Sequence, residues 1–190
     1  MVRSDREGAT LVKLLRTIRL DPSDTFIFEK AAEPGEWAVS GAFAFWNGDP
    51  SKLDGKMRAA FRGGFLGIST LGWSTLVQIV DATDDDRRAV VALLAEKLVS
   101  HFGAPTYDDA VAAAGDEVAF VGSLADQPRE TLVAVHRSFE EGSVRESFRT
   151  LRPRGEQKLP RAFSFPEVEG EGEQPVEDVD LIAIAEKGRP

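Results

Sequence analysis

"AFRGGFLGISTLGWSTLVQIVDAT", residues 60–83, decides how the chain is read. Its glycines and its long uncharged run invite four interpretations: a phosphate loop, a dinucleotide fingerprint, a membrane span or a nucleophile turn. A phosphate loop needs glycines ahead of a helix, followed by Lys and Ser or Thr. Here Gly63 and Gly64 come after an expected helix, at the end where carbonyls rather than amides are free, and no Lys follows them. The dinucleotide fingerprint fails because strands follow the glycines. A spanning helix would be predominantly apolar over about 20 residues, whereas glycine, hydroxyl and amide residues make up about half of 63–80. "GWSTL" supplies Gly72 and Ser74 but ends in Leu76, so it is no nucleophile elbow. What survives is structural. Gly63 or Gly64 is expected to close a helix in the left-handed conformation. Gly67 should allow close approach in a strand, and Gly72 a turn. One binding alternative stays open, in which Arg62 meets an anion and Trp73 offers a flat surface, with Trp46 nearby.

Working outward, "LVKLLRTIRL" (11–20) fits either strand or helix, and the turn "DPSD" after it favours strand. "TFIFEKA" (25–31) alternates like a strand. "EWAVSGAFAFW" (36–46) has the clearest period of two, with Trp37, Val39, Phe43 and Phe45 on one face and Ala38, Ser40, Ala42 and Ala44 on the other. That flat face suits a closely packed helix better than a ligand floor. Asp49 and Pro50 can open a short helix near 50–62, weakened by Gly55. "FLGIST" and "STLVQIVDAT" are strands.

Residues 83–103 form the most secure helix. Acids crowd its start, and Val91, Leu94, Ala95, Leu98 and Phe102 recur at helical spacing. Gly103 ends it and Pro105 prevents continuation. A second, broken helix is expected over 106–125, with Thr106 and Asp109 as its cap. "TLVAVHRSF" and "SVRESFRTL" flank "EEG" and read as a β-hairpin over 131–151, with a helix across 138–151 as the alternative. "RAFSF" and "DLIAIA" are short strand candidates near the C-terminus. The fold class is therefore α+β, a largely antiparallel sheet packed against one long and one or two shorter helices. Residues 10–165 are expected as a single domain. Residues 166–190 are expected as an acidic loop and a C-terminal segment that docks back as a short strand.

The chain has 190 residues, enough for one domain with its own core. It has no cysteine, which excludes disulfides, thiolate metal sites and a cysteine nucleophile, and is compatible with a reducing cytoplasm. The first residues do not read as a signal peptide. Of the net charge of −9, seven acids lie in "EVEGEGEQPVEDVD" (167–180), which leaves −2 for the rest. Charge gives no case for nucleic acid, and no stretch reads as a membrane segment. "DATDDD" (81–86) lacks a metal loop's ligand spacing and reads as a helix cap. His101 suits a helix end. His136 is a weaker candidate for a general base or a binding residue, because no triad pattern accompanies it. Arg145, Arg149, Arg152, Arg154, Lys158 and Arg161 form a basic run before the acidic one.

"TIRLDPSDTFIFEKAAEPGEWAVSGAFAFW" and "AAFRGGFLGISTLGWSTLVQIVDAT" together resemble an uncharacterised proteobacterial family of unknown function. The resemblance implies a bacterial, cytoplasmic protein and supplies no active site. The functional expectation is a non-catalytic accessory or protein-interaction protein, with a protein partner or self-association and no cofactor or metal. The alternative is a small-molecule binder or enzyme with a pocket near Trp46, Arg62 and Trp73.

Overall fold

The computed structural model describes residues 11–152 and 167–168. Its framework is one antiparallel sheet. β1 (Leu11–Ile18) pairs over its whole length with β5 (Leu76–Thr83). On one side of this pair lie β2 (Trp37–Val39), β3 (Phe65–Gly67) and β4 (Trp73–Ser74). On the other lie β6 (Leu132–Glu140), β7 (Ser143–Arg152) and β8 (Glu167–Val168). The order across the sheet is β4-β3-β2-β1-β5-β6-β7-β8. The helices are α1 (Ser23–Ile27), α2 (Gly55–Gly63), α3 (Asp84–Phe102) and α4 (Tyr107–Leu124). The α+β class is as the sequence indicates. No described helix is long and apolar enough to cross a membrane.

The long helices form for local reasons. Thr83 Oγ1 accepts from Asp86 N at 3.1 Å, while Asp86 Oδ2 accepts from Thr83 N at 2.9 Å, a reciprocal cap that starts α3. Those bonds from Thr83 hold the Asp86 carboxyl below its ordinary range. "DATDDD" is thus a helix start. Gly103, with φ 74°, closes the helix as expected. Val90, Leu94, Ala95 and Leu98 point inward, while Val91 is half-buried. The expected break in the second helix is absent: α4 runs continuously from the Thr106 cap.

Three expectations for the N-terminal half need correction. Residues 25–31 are not a strand; the turn chemistry of "DPSD" continues into α1, where Asp21 Oδ1 accepts from Ser23 N and Pro22 O from Thr25 N. The long strand over 36–46 stops at Val39. Gly41 turns left-handed at φ 79°, and the next residues, Ala42–Phe45, form a 3₁₀ turn, so the two alternating faces never extend as one surface. The helix near 50–62 is split, with a 3₁₀ turn at Pro50–Lys52 capped by Asp49 and α2 beginning at Gly55.

Gly63 and Gly64 bring the fourth correction. Neither is left-handed, and Gly64 is extended at φ −103°. Gly64 is instead required by crowding: a Cβ there would lie 2.9 Å from Ala60 O and 2.9 Å from the Trp73 ring. The carbonyls at this helix end are satisfied from far along the chain, as described below.

The hairpin over 131–151 is present, and its turn residues Glu141 (φ 52°) and Gly142 (φ 79°) are both left-handed, as a two-residue hairpin turn demands. The ladder then places Arg137 opposite Glu146 and Val135 opposite Phe148. β6 pairs with β5 only at Leu132–Ala134, so the distal hairpin reaches past β5 toward α2. "RAFSF" and "DLIAIA" lie outside the described residues, as does most of the proposed C-terminal unit. The strand pairing at that end falls at Glu167–Val168, against Leu151 and Arg152.

Candidate functional site

The group that stands out chemically is Arg137, whose side chain is 0% exposed. It reaches its place by strand alternation: Val133, Val135 and Arg137 all turn inward on β6. Its guanidinium has five N–H groups, and five acceptors meet them. Nε donates to Glu146 Oε1 at 2.6 Å. Nη1 donates to Phe61 O at 3.1 Å and Gly64 O at 2.7 Å. Nη2 donates to Ser40 O and, at 3.1 Å, to Ser40 Oγ. Ser40 Oγ in turn donates to Glu146 Oε1. Arg137 therefore closes the carbonyl end of α2, where a cation is favoured by the helix dipole, and ties it to the end of β2 and to β7. Burial pulls its pKa below the ordinary value, opposed by the charge and hydrogen bond of Glu146.

A second carboxyl faces this pair. Glu117 of α4 accepts from Gly41 N at 3.2 Å. One helical step on, at the i+3 position, Phe120 meets Phe148 at 5.7 Å between ring centroids. Phe148 and Glu146 are alternate residues of β7, so the helix lays Glu117 beside the ion pair. Burial raises the Glu117 pKa. The N–H of Gly41 acts against that, the Glu146 charge adds to it, and Arg137 offsets part of it. A carboxyl raised by burial beside charged partners marks a candidate site. With all five guanidinium protons committed internally, however, Arg137 has none left for an anionic ligand.

The residues singled out from sequence lie elsewhere. Trp73 is 8% exposed and stacks on Phe45, with centroids 5.1 Å apart. Phe45 also meets Phe61 edge-on at 5.3 Å. These three rings form an inner corner. Trp46 and Arg62, the chain neighbours of Phe45 and Phe61, are both exposed, Trp46 at 85%. Trp73 thus offers no free flat surface beside them. A small cleft of about 100 Å³ is lined by residues including Leu20, Asp24 and Thr75, and by none of Trp46, Arg62, Trp73 or His136. His136 is exposed, opposite Ser147, whose Oγ donates to the His136 carbonyl at 3.3 Å. It is the residue beside the buried arginine, on the opposite side of the strand.

Two other buried carboxyls are loop fasteners. Glu36 accepts from Glu33 N at 2.7 Å, Thr70 N at 2.9 Å and Thr70 Oγ1 at 2.6 Å. Asp24 accepts from Thr75 N and Thr75 Oγ1, and from Ser74 Oγ at 3.3 Å. Of the basic run, Arg145 and Arg149 lie on exposed β7 positions, and Arg145 is within 3.5 Å of Glu140 and 3.7 Å of Glu141. Among the described residues no group of three His, Cys, Asp or Glu is arranged to hold a metal.

The inward arginine could have been found in the letters. A two-residue turn at Glu141–Gly142 fixes the register, and alternation from Val133 and Val135 then turns Arg137 inward opposite Glu146. Glu117 gave no such signal, since its partners are distant in sequence.

Compared with known proteins, residues 12–163 match the profile of a family of unknown function, DUF6505. No curated protein and no solved structure matches the chain.

Proposed function

We propose a role for this chain, which belongs to the DUF6505 family of unknown function, as a non-catalytic protein-interaction module. The observation that carries this reading is Trp46, 85% exposed on a segment whose neighbouring Phe45 is buried. Tryptophan is enriched among the residues that dominate binding energy at interfaces. Phe26, at 73% exposed on α1, is a second large apolar side chain left outside the core. The internal commitment of the Arg137 network supports the same reading, because its polar groups serve the fold. A protein partner or a second copy is the occupant, and a place in the bacterial cytoplasm belongs to the same proposal. The alternative, a small-molecule site among Trp46, Arg62 and Trp73, is less well supported, because Trp73 is held inside against Phe45.

The test is site-specific photo-crosslinking. A benzophenone side chain at position 46 should yield a discrete protein adduct that the same group at exposed Ser100 does not. Equal labelling from both positions, or none from 46, would remove the support for this role.

A further inference from the structure

Ser40 and Gly41 are gripped by three ionisable side chains. Arg137 donates to Ser40 O and Oγ, Glu146 accepts from Ser40 Oγ, and Glu117 accepts from Gly41 N. The next residues are the Ala42–Phe45 turn and then Trp46. Gly41 cannot readily be reshaped, because a Cβ there would lie 2.6 Å from Leu66 Cβ. This short piece of backbone therefore sets how Trp46 is presented.

The charges at the grip do not balance. Arg137 is matched by Glu146, at 2.6 Å, and its remaining four N–H groups are taken by neutral oxygens. An ionised Glu117 would be a second carboxylate without a cation of its own. The charges that act on it are Glu146 of β7 and Arg137 of β6, with backbone N–H groups from Ser40 and Gly41. α3, β1 and β2 also pack on α4. The buried residues of α3 are Val90, Leu94, Ala95 and Leu98, those of β1 are Leu14, Leu15 and Thr17, and those of β2 are Ala38 and Val39; none ionises. The half-buried cations of β1 are engaged elsewhere, Lys13 donating to Gln127 O and Arg16 to Gly35 O while it lies over the Trp37 ring. Two forces then oppose each other. Burial, the largest single influence, and the Glu146 charge favour the neutral acid, while the Gly41 and Ser40 N–H groups and Arg137 favour the ionised carboxylate.

We propose that Glu117 is a proton-dependent latch on residues 40–46, which stays docked on Gly41 as the neutral acid and swings toward water, releasing the Gly41 N–H, when it ionises. Glu117 is only half-buried, so water is within reach of a change in its side-chain torsions. The sign follows from linkage. A carboxyl raised above its unfolded value favours the protonated fold, so its contribution is present at low pH and is lost as pH rises through the folded pKa. The consequence for Trp46 rests on the interaction role proposed above. The latch itself does not, because it is read at residues 40–46 rather than through a partner.

The experiment is an NMR titration of the full chain from about pH 4 to 8, spanning the range above an ordinary glutamate. It follows the Glu117 side-chain carboxyl carbon, the Gly41 amide and the amides of 42–46. Glu117 should titrate above the ordinary glutamate range, with the Gly41 amide and its neighbours moving at the same midpoint. Glu117→Gln should abolish that shared transition and hold the segment in its low-pH state throughout. Glu146→Gln should lower the midpoint by removing the nearby negative charge. An ordinary Glu117 midpoint, or amides at 41–46 that ignore its titration, would overturn the latch; both are read in the unsubstituted protein, so the result does not depend on how a variant folds.

Discussion

The distal hairpin and the segment around Trp46 sit at the two ends of one connection and treat their side chains in opposite ways. At the hairpin, a charged residue is drawn fully inside and every proton it carries is used. Five residues after Gly41, a tryptophan is left 85% exposed. Burying an unpaired charge costs several kcal/mol, so Arg137 is tolerable only with all of its acceptors in place. Leaving a tryptophan in water forfeits about 1.5–3 kcal/mol of apolar burial, which no contact among the described residues recovers. The first region spends its chemistry on holding the fold, and the second holds its chemistry in reserve.

The largest expected effect tests the first half of that contrast. Arg137→Ala would strand Glu146 and the carbonyls of Ser40, Phe61 and Gly64, and should destabilise by about 3–5 kcal/mol. Arg137→Lys should recover little, because an ammonium with three N–H groups cannot span acceptors arranged around a planar fork. Urea denaturation of both variants measures this. A loss below about 1 kcal/mol for the alanine variant would mean that the network is not structural, and the contrast would collapse.

An apolar substitution supplies the middle of the scale. Leu94 is fully buried on α3, so Leu94→Ala should cost about 2–5 kcal/mol through lost burial and a residual cavity. Its denaturation midpoint should be independent of pH wherever that of the unsubstituted protein is, since no ionisable group is touched. If Leu94→Ala cost less than about 0.5 kcal/mol, α3 would have the wrong face against the sheet.

Legibility from sequence follows the range of the forces involved. α3 and the hairpin were readable because their signals are local: Thr83 and Asp86 cap within one turn, and Glu141–Gly142 fixes a two-residue connection. The segment 25–46 misled because alternation alone does not make a strand. Pro22 starts a helical turn just ahead of it and Gly41 interrupts it, and this backbone geometry outweighs the period of two. The letters mark Gly64 as special but point to a left-handed cap rather than to crowding. The Trp73 ring that crowds it, and the Arg137 that caps its helix, come from strands 9 and 73 residues further on. The letters single out Trp46 but not its exposure, because Phe45 and Trp46 are adjacent and equally suited to the core. Only the 3₁₀ turn decides which of them enters.

The smallest expected effect on stability is the sharpest test of the second half of the contrast. Trp46→Ala removes a large side chain that makes little contact with its own fold, so its unfolding free energy should stay within about 0.5 kcal/mol of the unsubstituted protein. Phe45→Ala, one residue earlier, removes a ring packed on Phe61 and Trp73 and supplies the opposite control. Buried phenylalanine truncations cost about 3–5 kcal/mol. A near-zero value at 46 beside a large one at 45 would show that the 3₁₀ turn separates a core residue from one kept for an outside surface. A loss at 46 comparable to that at 45 would show that Trp46 packs on its own chain in solution. In that case the side chain taken to be in reserve would already be in use, and the interaction role would lose the observation that carries it.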